Sequence, residues 1–134
     1  MIVVDTNVIA YFLIEGDRTP QAQALWQRDS HWCLPSLWRH DFLNVLSTYV
    51  RAGGMELSDA MQLWQTADSL CTPMEGGVDM DTALELSVMK EISTYDAQFV
   101  FLAHLLSVPL ISEDKQLRRR CPETAVSMDD FLNA

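Results

Sequence analysis

Asp5, Asp41, Asp96 and Asp114 are the residues of this chain whose types and positions best suit chemistry. Asp5 directly follows the apolar run Ile2-Val3-Val4, and Asp114 follows Leu110-Ile111 by three residues. Each therefore stands at the C-terminal end of an expected strand and opens an expected helix. Asp favours helix starts for its own reasons, since there it caps the first turn and complements the dipole. Asp41 and Asp96 are harder to account for in that way. An expected helix over 36–52 sets Leu37, Trp38, Phe42, Val45, Leu46 and Tyr49 on one stripe at i, i+3, i+4 spacing. Asp41 is i+4 from Leu37 and i−4 from Val45, so it falls within that stripe. Asp96 opens a helix whose inner face is Phe99, Val100, Ala103 and Leu106. An ionised carboxylate turned inward costs several kcal/mol unless it is paired or bound to a cation. Partners are scarce, because the chain has only nine Lys and Arg. Arg39 lies about 200° round the helix from Asp41. A shared divalent cation accounts for the four aspartates better than local salt bridges do. Oxygen-only ligands, with no His or Cys at metal spacing, suit Mg²⁺ or Mn²⁺ rather than zinc. Such sites bind phosphate oxygens and activate water for in-line attack on phosphorus.

The elements that must position these residues are short. Strands are expected at 2–4, 32–34, 108–111 and 125–127, with a weak one within 72–78. Helices are expected at 7–14, 21–28, 36–52, 58–70, 81–91, 95–106, 114–120 and 129–132. Ser36 and Ser58 are the expected caps of two of them, Pro35 the stop of the second strand, and Gly53 the end of the long helix. Gly53-Gly54 and Gly76-Gly77 read as turns. Short apolar strands alternating with helices argue for a three-layer α/β/α fold, with a central parallel sheet of four to five strands covered on both faces. In such sheets the functional crevice lies outside the C-terminal ends of the strands, where Asp5 and Asp114 are expected.

Length and composition bound the rest. The chain of 134 residues is 49% apolar, which fits one domain over 1–134 with its own core. The N-terminal apolar runs are short and follow no basic segment, so neither a signal peptide nor a membrane span is expected. Cys33, Cys71 and Cys121 are odd in number and form no Cys-x-x-Cys pair, which argues for reduced thiols in a cytoplasm. The net charge is −10 and the pI about 4.4, a balance that disfavours charge-driven binding to nucleic acid. Removing the four aspartates still leaves the chain acidic. Bound divalent ions, helix N-terminal amides and the small basic cluster Lys115 with Arg118, Arg119 and Arg120 are then what must hold a nucleic acid. That cluster also suits a solvated last helical turn.

At this point the chain resembles a known family. Asp5-Thr6-Asn7-Val8 after an apolar strand is similar to the opening of a PIN domain, the nuclease fold of the VapC-type toxins. Leu34-Pro35-Ser36 followed by Asp41, Asn44 and Leu46 resembles that family's second acidic block. The segment from Tyr95 to Ala103, with Asp96, resembles the third block. Pro109-Leu110-Ile111-Ser112-Glu113-Asp114-Lys115-Gln116-Leu117 resembles the fourth. The similarity runs over nearly the whole chain. Asp41 stands where Glu is usual, Ser112 where Thr is usual, and Glu113 adds a carboxylate beside Asp114.

The resemblance implies a metal-dependent ribonuclease that leaves 5′-phosphate and 3′-hydroxyl ends. It implies Asp5, Asp96 and Asp114 as ligands of Mg²⁺ or Mn²⁺, with Asp41 as a ligand or water-holder. Thr6, Asn7, Ser112 and Glu113 would support the ligands or contact phosphate, and Lys115 and Arg118 would contact RNA. A homodimer and a small antitoxin with a basic segment are the implied partners. Met55, Met61 and Met74 near Trp64 suit either an apolar groove for that antitoxin or ordinary packing. A different class of function, a catalytically weak module that only binds RNA or a partner, is kept open by Asp41. A phosphotransfer enzyme on a similar sheet fits less well. A haloacid-dehalogenase-like site wants Asp at position 7, where Asn stands. A response-regulator receiver wants Lys near Ser112 and Glu113.

Overall fold

The structure is a computed structural model that describes residues 1–134. In chain order its elements are β1 (Ile2–Val4), α1 (Thr6–Leu13), α2 (Thr19–Arg28), β2 (Trp32–Pro35), α3 (Trp38–Arg51) and α4 (Leu57–Cys71). A single 3₁₀ turn, Thr72–Met74, leads into β3 (Glu75–Gly76). Then come α5 (Met80–Lys90), α6 (Thr94–Leu106), β4 (Leu110–Ile111), α7 (Lys115–Arg120), β5 (Ala125–Val126) and α8 (Met128–Leu132).

All strand pairs are parallel and the sheet order is β3-β2-β1-β4-β5. Successive residues of β1 face opposite layers, as strand geometry requires. Ile2 and Val4 pack with Trp38, Phe42 and Leu46 of α3, Val8 and Ile9 of α1, and Met128 of α8. Val3 packs on the other face with Phe99, Val100 and Ala103 of α6 and Leu117 of α7. This is the expected α/β/α architecture with a five-stranded parallel sheet.

The local chemistry departs from expectation in four places. Neither Ser36 nor Ser58 caps its helix. The capping positions are Leu37 and Glu56, and neither makes a side-chain cap bond. Pro35 is the last residue of β2 rather than its stop, in register with Gly76. Gly76 lies in a strand rather than a turn, because β3 passes close to α6: a Cβ there would meet Leu102 Cδ1 at 2.7 Å. Strand β4 starts at Leu110 rather than 108, since Pro109 has no N–H to pair and the Val108 N–H closes α6 on Ala103 O. Gly53 has φ +80° just past the end of α3, the left-handed turn expected there.

The order places β1 at the centre, with β2 and β3 to one side and β4 and β5 to the other. The chain moves outward through β2 and β3, then crosses back to β4. A crevice opens where the direction reverses, between β1 and β4, at the C-terminal ends of the strands. Helix α3 leaves β2 at that same edge. Helix α6 runs back to feed β4, so its N-terminus lies there too.

Candidate active site

Asp5, Asp41, Asp96 and Asp114 line one cleft of about 240 Å³ at this edge, together with Thr6, Asn7, Asn44, Val45 and Phe99. Asp5 ends β1; its N–H bonds Ile111 O at 3.1 Å, and its Oδ1 accepts from Val8 N at 3.2 Å to cap α1. Asp114 caps α7 by accepting from Gln116 N at 2.9 Å and Leu117 N at 3.1 Å. Both therefore fill the ordinary capping role, yet each also lines the cleft. Asp41 sits in the first turn of α3, from one face of the sheet, and its Oδ2 accepts from the Thr6 hydroxyl at 3.2 Å. Asp96 sits in the first turn of α6, from the other face, where Ser93 caps the helix through Asp96 N at 3.0 Å. Four segments far apart in the sequence thus deliver one carboxylate each.

None of the four has a cationic partner. The six ion pairs of the structure take Asp29, Glu113, Asp68, Glu75, Glu123 and Glu91 instead. Burial pushes the Asp5 carboxyl up to about 6, with Asp96 and Asp114 adding to the rise and the Ser112 hydroxyl and Val8 N–H opposing it. Asp96 is raised by burial and then by Asp114 and Asp41, against the Ser93 hydroxyl. Asp41 is raised by burial, against its bond from Thr6. Burial, with mutual repulsion at Asp5 and Asp96, thus works against the charged form of these carboxylates, a pattern common at functional sites.

The donor set fits a hard divalent ion. It offers carboxylates, the Asn7 and Asn44 amides and the Thr6 hydroxyl, all oxygen donors. No three acidic, His or Cys side chains gather tightly enough to cage an ion alone. Mg²⁺ needs no such cage, because it keeps several of its waters.

The profile of the PIN domain matches residues 2–121. This chain belongs to the PIN-domain family. It is 26% identical over 125 residues to Ribonuclease VapC3 of Pyrobaculum aerophilum, an alignment covering 90% of this chain and 95% of that protein. Its fold matches the crystal structure of PAE2754 from Pyrobaculum aerophilum with a TM-score of 0.77. That match covers 98% of this chain and 93% of the other at 16% identity, a likeness of fold.

The other expected site residues of this PIN domain divide. Thr6 and Asn7 line the cleft. Ser112 is buried just behind it, where its Oγ accepts from Asp114 N at 3.1 Å. Glu113 does not line the cleft. It turns away to pair with Arg18 and accepts from Met128 N at 2.8 Å. Arg118 is committed too: its Nη1 donates to Ser112 O at 2.8 Å and braces the loop behind Asp114. Arg120 pairs with Glu91, and Lys115 and Arg119 stay exposed. Half of the basic cluster is thus spent within the fold. His104 bonds Thr124 at 2.7 Å and His40 lies outside the cleft. Asn44 and Phe99 were not anticipated as site residues. Each lies three residues beyond a cleft aspartate on the same helix, which is the spacing that could have revealed them.

Proposed function

We propose that this PIN domain is an Mg²⁺- or Mn²⁺-dependent endoribonuclease and the toxin of a toxin–antitoxin pair. The observation that carries the proposal is the convergence of four unpaired aspartates, from both faces of the sheet, on one cleft. The ribonuclease name of a relative aligned over 90% of the chain supports the reaction class. Asp5, Asp96 and Asp114 would hold the metal, with Asp41 as a ligand or a holder of metal-bound water. When bound, the metal supplies charge stabilisation at phosphorus and a more acidic water. The chain's own groups orient the site. Asp5 and Asp114 are fixed by capping bonds, Asp41 by Thr6, and the Asp114 loop by Ser112 and Arg118. Asn7 and Asn44 offer amides to a phosphate or to ordered water at the mouth.

An acidic chain suits a basic protein inhibitor as its tight partner. The apolar groove between α3 and α4, lined by Leu43, Leu46, Val50, Leu57, Met61 and Trp64, supports docking of an amphipathic antitoxin segment there. Exposed Leu84 and Val88, one turn apart on α5, support a homodimer. No helix is long and apolar enough to cross a membrane, and we place the reaction in the cytoplasm.

The test is cleavage of RNA by the purified chain with Mg²⁺ or Mn²⁺. Activity is expected to vanish with chelator and to fall at least about 100-fold in Asp96→Asn. Undiminished cleavage in that variant would overturn the proposal. No cleavage with either metal would leave a module that binds RNA or a partner.

A further inference from the structure

A second recess, of about 330 Å³, opens beside the acidic cleft and shares Asn7 and Val45 with it. The two form one trough, and helical spacing explains why. On α1, Asn7 and Tyr11 are one turn apart. On α3, Asp41, Val45 and Tyr49 follow at i+4 intervals along one ridge. Both ridges run away from the carboxylates in the same direction and end in a tyrosine. Tyr49 stands about 12 Å along α3 from Asp41.

We propose that this recess is a nucleobase subsite: one unpaired RNA base stacks on the Tyr49 ring while the neighbouring phosphodiester lies at the aspartates. The subsite rests on the nuclease proposal above and adds what holds the strand. Tyr49 is 43% exposed, although its place on α3 predicts a core residue; its ring pairs with no other aromatic ring and its hydroxyl makes no hydrogen bond within the chain. An exposed aromatic ring beside a phosphodiester site is a stacking platform for any base. Arg18 closes the far side, with its guanidinium 5.5 Å from the Tyr11 ring centroid. Its pairing with Glu113 engages one nitrogen and leaves the others free.

The recess is also preorganised. The buried Thr19 hydroxyl bonds Gly16 N at 3.0 Å, Tyr11 O at 2.7 Å and Ile14 O at 3.2 Å, which fixes the turn that forms one wall. Tyr11 is raised above the usual phenol range by burial, against the Arg18 guanidinium nearby. Tyr11 and Tyr49 line the same recess, which meets the acidic cleft at Asn7 and Val45. Glu15 and Asp17 also border the recess. Their carboxylates repel a phosphate but accept from the amino groups of a base. The lining therefore selects a base rather than a second phosphate. A protein segment is better served by the larger apolar groove between α3 and α4.

The test compares two diesters with the full chain in Mg²⁺: a single-stranded RNA oligonucleotide, and bis(p-nitrophenyl) phosphate, which carries no base. Tyr49→Ala is expected to lower kcat/KM on the RNA by about tenfold more than on the base-free diester. Tyr49→Trp is expected to restore it. A second arm needs no catalysis. Fluorescence anisotropy with Ca²⁺ in place of Mg²⁺ measures binding of the same RNA and of versions carrying one abasic position. One abasic position should weaken binding to the wild type and make no difference to Tyr49→Ala. Equal effects on both diesters, or no abasic position that matters, would overturn the subsite. So would a Tyr49→Ala variant that keeps its RNA affinity and loses only a protein partner. If the wild type cleaves neither diester, the nuclease proposal fails and the anisotropy arm decides the subsite alone.

Discussion

The Thr6 hydroxyl donates to Oδ2 of Asp41 across 3.2 Å, joining the first turn of α1 to the first turn of α3. Thr6 is only 5% exposed, so this bond is shielded and holds one carboxylate oxygen in place while the other stays available to the cleft. Thr6→Val keeps the shape and removes the donor. Cleavage is expected to drop by about tenfold or more, as when the group that orients a metal ligand is lost. Thr6→Ser should retain most of the activity. Full activity in Thr6→Val, measured at saturating Mg²⁺ and over a Mg²⁺ titration, would show that Asp41 needs no such support.

The height of the Asp5 carboxyl, about 6 against an ordinary 3.8, has a stability consequence. Between those values the native state holds a proton that the unfolded chain has lost. Stability of the metal-free protein therefore falls as pH rises through that window. Asp5→Asn keeps a capping side chain and removes the charge. It is expected to stabilise the metal-free protein at pH 7 by up to about 3 kcal/mol and to give little gain near pH 4. Thermal unfolding in chelator at the two pH values checks this, and a gain that is the same at both would contradict it. By the same linkage, metal affinity should weaken below pH 6, where protons compete for the site.

Asp41 carries one methylene less than the Glu usual at its position. Asp41→Glu extends the carboxylate further into the cleft and is expected to lower the Mg²⁺ concentration needed for half-maximal cleavage. Asp41→Asn should raise it. Isothermal titration with Mn²⁺ reads the same order without any RNA. If Asp41→Glu binds metal more weakly than the wild type, the shorter chain is itself the fitted one.

Glu75 in β3 ties down the start of α3. Its Oε2 accepts from Trp38 Nε1 and from Arg39 Nε, each at 2.7 Å. Trp38 is fully buried, so Glu75→Ala leaves its indole N–H unpaired and should cost about 1–3 kcal/mol. The Arg39 bond, helped by Trp38, holds the Glu75 carboxyl below its ordinary 4.5. Its stabilising share is present above 4.5 and is lost as pH falls through the depressed value. Urea unfolding should show a gap between wild type and variant at pH 7 that narrows as the pH is lowered below 4.5. A gap independent of pH would assign the loss to packing alone.

Sequence by itself determined the three layers and the four aspartates. Both are written in local periodicity. The apolar run before Asp5 makes a strand, the spacing of Trp38, Phe42 and Leu46 makes one face of a helix, and a residue just after a parallel strand can only stand at its C-terminal edge. What each side chain meets across the fold was decided by tertiary structure. Glu113 reads as a support for Asp114 or a phosphate contact, but Arg18, 95 residues away in sequence, draws it outward. Arg118 reads as a phosphate contact and instead braces Ser112 O. Tyr49 shares the spacing of a core stripe, yet its ring stands half exposed at the recess that α1 and α3 line together. Periodicity reports which face of an element a residue occupies. Only the placement of one element against another says whether that face is filled by packing, closed by an ion pair or left for a ligand.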